Sequence, residues 1–242
     1  MRFALRACGV PVLVAVATLA VAGCGAGPGT PAFAPASPEP VSASPSVVAS
    51  ASRSLTSEQL VAAALPQEGP DEDRHPVAVR TSRGGDQEYQ VSDPACGQLL
   101  AAAHARRPSQ PSPAVVDQRF DWKDDNGGAS TLASYGNSGA VAVFAEVREG
   151  LSTCRYYESP APTTTYKGTV TVGPAPRLGD EAVQFEITAP TEGGTHVTRY
   201  TVVRTGSVIA TFTKLSVGGR DIPAFPPAMI AQQISLLQQA QS

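Results

Sequence analysis

The sequence is poor in charged residues, in aromatic residues and in the residues that hold metal ions. Of its 242 residues, 16% are charged, 6% are aromatic, three are histidines and four are cysteines. A formal net charge of −3 gives no basic field, so nucleic acid is not expected as a partner. Scattered histidines do not predict an ordinary zinc site. The cysteines are too few for a small disulfide-dense scaffold.

The one apolar stretch that could enter a membrane lies at the extreme N-terminus. Arg2 and Arg6 precede a short apolar run from Val10 to Val21, a pattern typical of secretory signals. The run falls short of the ~20 residues that a membrane span needs. It ends in Val21, Ala22, Gly23 and Cys24, which resemble the lipobox of bacterial lipoproteins. Residues 1–23 are therefore predicted to be a lipoprotein signal peptide.

In that family the lipobox cysteine receives a thioether-linked diacylglycerol and becomes the first residue of the mature chain. The resemblance therefore implies that Cys24 anchors the protein to the outer side of the cell membrane. Removing Arg2 and Arg6 leaves 16 basic and 21 acidic residues, a net charge of −5, so an anionic bilayer does not attract the chain. Anchoring must then come from the lipid, which supplies at least two acyl chains. The alternative is an ordinary signal peptide with a chance cysteine.

Residues 24–54 are predicted to be the lipidated cysteine followed by a disordered linker. Pro, Ala, Ser and Gly fill 23 of the 30 positions from 25 to 54, and only Glu39 and Arg53 are charged. Such a segment cannot bury enough apolar surface to offset the entropy of ordering. Its expected role is to hold the following domain clear of the membrane, and the plainer alternative is a passive spacer.

Residues 55–242 are predicted to form one extracytoplasmic α+β domain. Four helix starts carry capping or proline signals, at Thr56, Asp93, Ser138 and Pro226. Alternating residues predict a hairpin over 115–123 and 129–135, and later strands over 164–172, 181–188, 196–204 and 207–215. Short turns between consecutive strands require antiparallel pairing. We therefore expect a single twisted antiparallel sheet with the helices packed on one face.

Two cysteines remain in the domain once Cys24 carries lipid. Cys96 and Cys154 each lie on the apolar face or at the end of a predicted helix. In an oxidising extracytoplasmic compartment we expect them to form a disulfide. The alternatives are two buried free thiols or, with no CxxC and no nearby histidine, a less favoured metal pair.

No catalytic or cofactor motif in the sequence is complete. Residues 136–139 approach the G-x-S-x-G nucleophile elbow, but Ala140 occupies the place of the second glycine, so Ser138 is interpreted as a helix cap. Residues 121–127 resemble a calcium loop, but Lys123 occupies a ligand position and a hairpin turn explains the pattern better. We therefore predict no catalytic residue, no metal and no cofactor.

The basic residues of one predicted strand leave two interpretations open. His196, Arg199 and Arg204 could line an anion-binding cleft, or they could be solvated charges on the sheet surface, which is the favoured alternative. The other histidines, His75 and His104, are isolated and are expected on the surface or in a strand.

Five features of the domain form a pattern: Cys96 early in a helix, residues 140–145 opening a helix that ends at Cys154, and the segments 171–174, 209–212 and 231–234. This pattern resembles the extracellular sensor-like domain of mycobacterial PknH-type serine/threonine kinases and related actinobacterial lipoproteins. The resemblance implies a twisted antiparallel sheet with a broad cleft for a ligand. That family usually carries two disulfides, whereas this domain can form one.

The leading hypothesis is a lipid-anchored, extracytoplasmic, non-catalytic binding or sensor-like domain. The ligand would be a small molecule, a cell-wall component or a protein. The alternatives are a cell-envelope enzyme with an unrecognised site and a structural or assembly lipoprotein.

Overall fold

The structure is a computed structural model that describes residues 53–69, 72–80, 89–106, 112, 114–123, 126–136, 138–161, 164–216, 218 and 223–242. The signal peptide, the lipobox residues Val21, Ala22 and Gly23, the lipidation site Cys24 and nearly all of the linker lie outside these residues. Within them, no helix is both long and apolar enough to span a bilayer.

The described part of the chain contains four helices and nine strands. The helices are α1 (Ser57–Ala62), α2 (Pro94–Ala103), α3 (Gly139–Thr153) and α4 (Pro227–Gln241). The first strands are β1 (Glu72–Arg74), β2 (Ala78–Val79), β3 (Ala114–Trp122) and β4 (Gly127–Ser134). The later strands are β5 (Tyr156–Pro160), β6 (Thr165–Val172), β7 (Glu181–Thr191), β8 (Gly194–Thr205) and β9 (Val208–Ser216).

All described strands belong to one antiparallel sheet, which confirms the α+β prediction. The strand order is β1-β3-β4-β9-β8-β7-β6-β5, and β2 pairs with β3 beside β1. The hairpins β3–β4, β5–β6, β7–β8 and β8–β9 join neighbours in sequence. The β4–β9 pairing joins strands far apart in sequence, because β9 returns to lie beside β4. The β1–β3 and β2–β3 pairings also span a long segment, which contains α2.

The helices cover both faces of the sheet, so the prediction that they pack on one face is wrong. One face, here called the disulfide face, packs against α2 and α3. The opposite face, here called the terminal-helix face, packs against α1 and α4. Strands β3, β4, β8 and β9 explain this arrangement, because they contain consecutive apolar residues whose side chains point to opposite faces. Val202, for example, is buried in the core of the disulfide face and Val203 in the core of the terminal-helix face. A strand buried on both sides loses the alternation of a one-sided sheet.

All four predicted start residues occupy N-cap positions, and two of them, Thr56 and Asp93, make a side-chain cap bond. Thr56 accepts a hydrogen bond from the Gln59 amide N–H while the Gln59 side chain accepts one from the Thr56 N–H, which completes a capping box. Asp93 caps α2 by accepting from the amide of Ala95. Ser138 occupies the N-cap position of α3 but makes no side-chain cap bond.

Two short strands were not predicted. Strand β1 pairs with β3 and buries an ion pair in which Arg74 Nε donates to Glu72 Oε1 at 2.6 Å. Strand β5 follows α3 after two residues and pairs with β6. Both strands are short and polar, so neither shows a period that would identify it from sequence.

The predicted disulfide is present. Cys96 in α2 and Cys154 at the end of α3 are joined, with a Cα–Cα distance of 4.9 Å. The two helices approach closely here, since a Cβ placed on Gly150 would lie 2.8 Å from Cβ of Leu99. The bridge therefore fixes the helix pair that covers the disulfide face.

The start of the described chain is held at one end of the sheet. Ser207, beside the β8–β9 turn, donates from Oγ to the carbonyl of Arg53 at 2.8 Å. Leu55 donates its amide N–H to Ser134 Oγ at 2.6 Å. Leu55 and Leu60, which flank the start of α1 at the positions of a hydrophobic staple, are both buried. The chain thus enters the domain at the end of the sheet where β4 finishes and β9 begins.

Candidate binding site on the open part of the sheet

The terminal-helix face is covered over only part of its width. Its apolar core draws on β3, β4, β9 and the end of β8, and β7 contributes only the partly buried Ala182. On β6 the side chains of this face, Thr169 and Thr171, are exposed. In the described part of the chain, no residue of β6 joins the core of this face. This leaves an open surface beside the helices.

A set of polar side chains lies on that surface. The register pairs Thr171 with Glu186 and Glu186 with Arg199, so these residues form one row across β6, β7 and β8. Side chains two apart on a strand share a face, so Gln184 and Thr188 lie on either side of Glu186. We call these five residues the polar strip.

An ion pair occupies the middle of the polar strip. Arg199 Nε donates to Glu186 Oε2 at 2.9 Å, and Thr188 Oγ1 donates to Glu186 Oε1 at 3.3 Å. The side chains of Arg199 and Glu186 are 28% and 33% exposed. The carboxylate is therefore held on both oxygens while one side of the pair stays open to solvent.

A cavity of about 290 Å³ lies over the polar strip. Its lining residues are Thr171, Gly173, Gln184, Phe185, Glu186, Arg199 and Ala224. Ala224 precedes Phe225, whose ring packs edge-on against Trp122 and Phe120 at centroid distances of 5.3 and 5.1 Å. The segment leading into α4 thus forms one wall, and that wall is fixed by an aromatic cluster.

The row continues beyond Arg199 to a buried lysine. Lys214 pairs in register with Arg199 and with Gly128, and its side chain amine lies 4.4 Å from the centroid of the Trp122 ring. Lys214 is only 2% exposed. A Cβ placed on Gly128 would come within 2.6 Å of the Trp122 ring, so the glycine permits this close approach. Trp122 and Lys214 therefore form the border of the polar strip next to Arg199.

The floor of the cavity is supported from the opposite face. Phe185 and Tyr200, which are neighbours in register, stack with ring centroids 4.5 Å apart and an interplanar angle of 3°. Both side chains are buried in the core of the disulfide face, directly behind Glu186 and Arg199. Burial raises the pKa of the Tyr200 hydroxyl above its usual range, so this residue stays neutral.

The structure does not bring together the three basic residues predicted on one strand. Only Arg199 reaches the polar strip. Arg204 is an odd number of residues away and therefore lies on the other face, where it binds Glu181 at 2.7 Å and Asp180 at 2.8 Å. His196 lies half-buried near the start of β8, opposite Ala189.

The two remaining histidines are both in defined contacts. His75 is exposed, and its Nε2 lies 2.7 Å from a carboxylate oxygen of Asp121. His104 follows α2 and contacts the rings of Tyr89 and Tyr200. Burial, with smaller contributions from two nearby arginines, lowers the pKa of His104 to about 4. The expectation that His104 is an ordinary surface or strand residue is therefore wrong.

Within the described residues, no group of three or more His, Cys, Asp or Glu side chains is placed to hold a metal ion. Ser138, the serine of the incomplete elbow motif, begins α3. Asp121, from the segment that resembles a calcium loop, pairs with His75, while Asp124 and Asp125 lie outside the described residues.

The remaining members of the strip were not identified from sequence. The sequence placed Thr171 in a predicted strand and in a segment that carries the family resemblance, without a binding role. Gln184, Glu186 and Thr188 were predicted only as residues of one strand. A signal existed in β7, where Gln184, Glu186 and Thr188 alternate with Phe185 and Ile187. That pattern marks a polar face, but only the cross-strand register shows which residues of β6 and β8 share it.

No protein-family model matches the chain, and no curated protein matches it. Among solved structures, the extracellular domain of PknH from Mycobacterium tuberculosis matches with a TM-score of 0.53 and 12% sequence identity, over 77% of this chain and 96% of that domain. An uncharacterised protein from Mycobacterium smegmatis matches with a TM-score of 0.39 and 12% identity, over 72% of this chain and 88% of that one. The domain therefore has a fold like that of the PknH extracellular domain, as its sequence features suggested.

Proposed function

We propose that this chain is a lipid-anchored extracytoplasmic protein whose domain binds a ligand on the polar strip without transforming it. The observation that carries the proposal is the open cavity over the strip, lined by hydrogen-bonding side chains. Small-molecule sites are concave and place a few polar groups where they converge. A ligand lying on Thr171, Gln184 and the Glu186–Arg199 pair would meet such an arrangement.

The rigidity of the strip supports a binding role. Glu186 is held by Arg199 and Thr188, and the Phe185–Tyr200 stack supports the floor. Groups that are fixed before the ligand arrives lose less conformational entropy on binding. The strip would thus be a preorganised surface.

The extracytoplasmic location rests on three features that agree. The N-terminus has the pattern of a lipoprotein signal ending at Cys24. The Cys96–Cys154 disulfide suits an oxidising compartment. The fold is like that of a domain described as extracellular.

A binding role fits the strip better than catalysis. The single carboxylate among its five residues, Glu186, is neutralised by Arg199 rather than left to act as a general base. His75, which does pair with a carboxylate, lies at the β1–β3 side of the sheet and not on the strip. A sensor-like function, in which binding is reported to a partner protein, is compatible with this arrangement.

Native mass spectrometry tests the binding function. The full chain is purified from its own host's membranes in detergent, and co-purifying mass is measured. We expect a bound species whose occupancy falls in Gln184→Ala, because the side chain lines the cavity. The matched control is Gln232→Ala, at an exposed position of α4, which should keep the wild-type occupancy. Unchanged occupancy in Gln184→Ala, or substrate turnover by the wild-type chain, would contradict the proposal.

Membrane fractionation tests the anchor. Cys24→Ala should move the protein from the membrane to the soluble fraction, because the thiol is the only proposed site of the diacylglycerol. Cys8→Ala, within the predicted signal peptide, is the control and should remain in the membrane. Retention of Cys24→Ala in the membrane would show that the anchor lies elsewhere.

A further inference from the structure

The polar strip offers uncharged hydrogen-bonding groups to the cavity. The Gln184 amide and the Thr171 hydroxyl both line it. Neither side chain has a hydrogen-bond partner within the part of the chain that the structure describes. An amide supplies two donors and an acceptor, and a hydroxyl supplies both, so together they can bind several ligand hydroxyl groups.

The charges of the strip are already compensated by the protein. Arg199 and Glu186 bind each other at 2.9 Å, and Thr188 completes the carboxylate's contacts. A charged ligand would compete with the Arg199–Glu186 ion pair for one of its two charges, and the other residue would then lose its partner. Removing a partner from a partly buried ion pair is costly. The strip therefore favours a ligand without net charge.

The apolar part of the cavity lining is also small compared with the area that an acyl chain buries. Of its lining residues, only Ala224 and Phe185 are apolar, and the Phe185 ring is buried on the opposite face of the sheet. Burial of apolar area is the main driving force for binding a lipid tail. The volume of about 290 Å³ lies at the small end of the usual range of roughly 300 to 1,000 Å³ for ligand sites.

Further hydroxyl groups continue the strip beyond the cavity. Thr169 pairs in register with Thr188, one step along from the Thr171–Glu186 pair. Side chains on one face of a strand repeat every ~6.6–7 Å. A ligand with hydroxyl groups along its length could therefore extend from the cavity over β6 and β7.

From this geometry we infer that the polar strip binds a neutral, hydroxyl-rich ligand, namely a glycan of one to a few uncharged sugar units. The inference rests on the proposed binding function and names its ligand class. Gln184 and Thr171 donate to and accept from sugar hydroxyl groups. The outer lone pairs of Glu186 accept from further hydroxyl groups while Arg199 holds the carboxylate in place.

The test is a titration of the full chain, in a detergent without a sugar head group. The probes are neutral glycans of one to four sugar units, with uronic-acid glycans in parallel. Phospholipid vesicles are offered separately to the Cys24→Ala chain in buffer without detergent. Hydrogen-exchange mass spectrometry maps the bound region. We expect a neutral glycan to protect residues 169–173 and 184–188. Thr171→Val and Gln184→Ala should each weaken binding roughly three- to tenfold, the effect of one lost hydrogen bond.

The matched control is Thr165→Val, at an exposed position on the same strand and face but six residues away. Its affinity for the glycan should equal that of the wild type. Binding of uronic-acid glycans or vesicles to the strip without neutral glycans would overturn the ligand class and leave the proposed binding function standing. Equal weakening by Thr165→Val, or no binding of any neutral glycan, would also overturn the inference.

Discussion

Two regions of this sheet differ in how many of their faces are buried. In β9 the consecutive residues Val208, Ile209 and Ala210 are all buried, because α1 and α4 cover one face and α2 and α3 the other. In β7 only alternate residues are buried, among them Phe185 and Ile187. The covered region, made of β3, β4 and β9, contributes stability. The open region, made of β6, β7 and the first part of β8, offers a surface for recognition.

The difference shows how one sheet can provide both a scaffold and a site. Polar side chains on a strand that is buried on both faces would need internal partners, as Gln118 of β3 has in the carbonyl of Leu65. On β7 the side chains of one face remain at the surface, so Gln184 and Glu186 can be polar at little cost to folding. The site therefore lies where helical cover ends.

Removal of the disulfide should give the largest loss of stability. The double variant Cys96→Ala, Cys154→Ala releases the helix pair from a loop with a sequence separation of 58 residues. The chain-entropy model gives a loss of about 4 kcal/mol for a loop of this length. Urea unfolding measures it. Cys154→Ala alone should lose a similar amount, and an unchanged unfolding midpoint in either variant would show that the covered region does not depend on the bridge.

The same Val→Ala substitution at two positions of β8 should show that helical cover on the terminal-helix face determines how much a side chain contributes to stability. Val203 is fully buried in the core of the terminal-helix face, whereas Val197 lies half-buried on that face opposite Thr188. Val203→Ala should lower the free energy of unfolding by about 2 kcal/mol. Val197→Ala should cost less than about 1 kcal/mol. Equal losses in chemical unfolding would contradict the division of the sheet.

Acid should weaken the packing of the disulfide face, which lies behind both regions, through His104. Its pKa is lowered to about 4 in the folded state, mainly by burial and also by Arg106 and Arg80, with Asp117 opposing them. The unfolded histidine has a pKa of about 6.5, so it takes up a proton first and stability falls as the pH drops from about 6.5 to about 4. This loss of stability on acidification should be absent in His104→Gln and present in His196→Gln. Urea unfolding midpoints measured between about pH 6.5 and about pH 4 test it.

The smallest effect should be a gain of stability at the end of α2. Ala105 has a φ of 53°, and two hydrogen bonds run from Arg106 to Ala101 and from Ala105 to Ala102 in a Schellman arrangement. Glycine adopts this conformation without the Cβ clash. Ala105→Gly should therefore raise the free energy of unfolding by about 0.5–1 kcal/mol, the cost of the left-handed conformation less the entropy that glycine adds to the unfolded chain. The same change at Ala103, in the regular helix, should lower it, and a loss at both positions would refute the explanation.

The features predicted correctly from the sequence are those that depend on residues close together in the chain or on the few cysteines. The capping box at Thr56, the Asp93 cap, the β3–β4 hairpin and the Cys96–Cys154 pair all follow from nearby residues or from the small number of cysteines. The second layer of helices was missed because nothing local shows which face α1 and α4 will cover.

The polar strip was missed for a related reason. Thr171, Glu186 and Arg199 come from three strands and meet only through the register of the β6–β7 and β7–β8 pairings. Register is set by the whole pattern of burial and by the turns, not by any single motif. Arg199 was singled out for its charge, but it was grouped with Arg204, which points to the opposite face.

Hydrogen-exchange mass spectrometry with a cell-envelope extract of the host tests the central claim most directly. The full chain is compared with and without the extract, and protection is followed along the sequence. Recognition on the open region predicts new protection confined to residues 169–173 and 184–188, with none in β3 or β9. Protection confined to α2 and α3, or no protection anywhere, would contradict it.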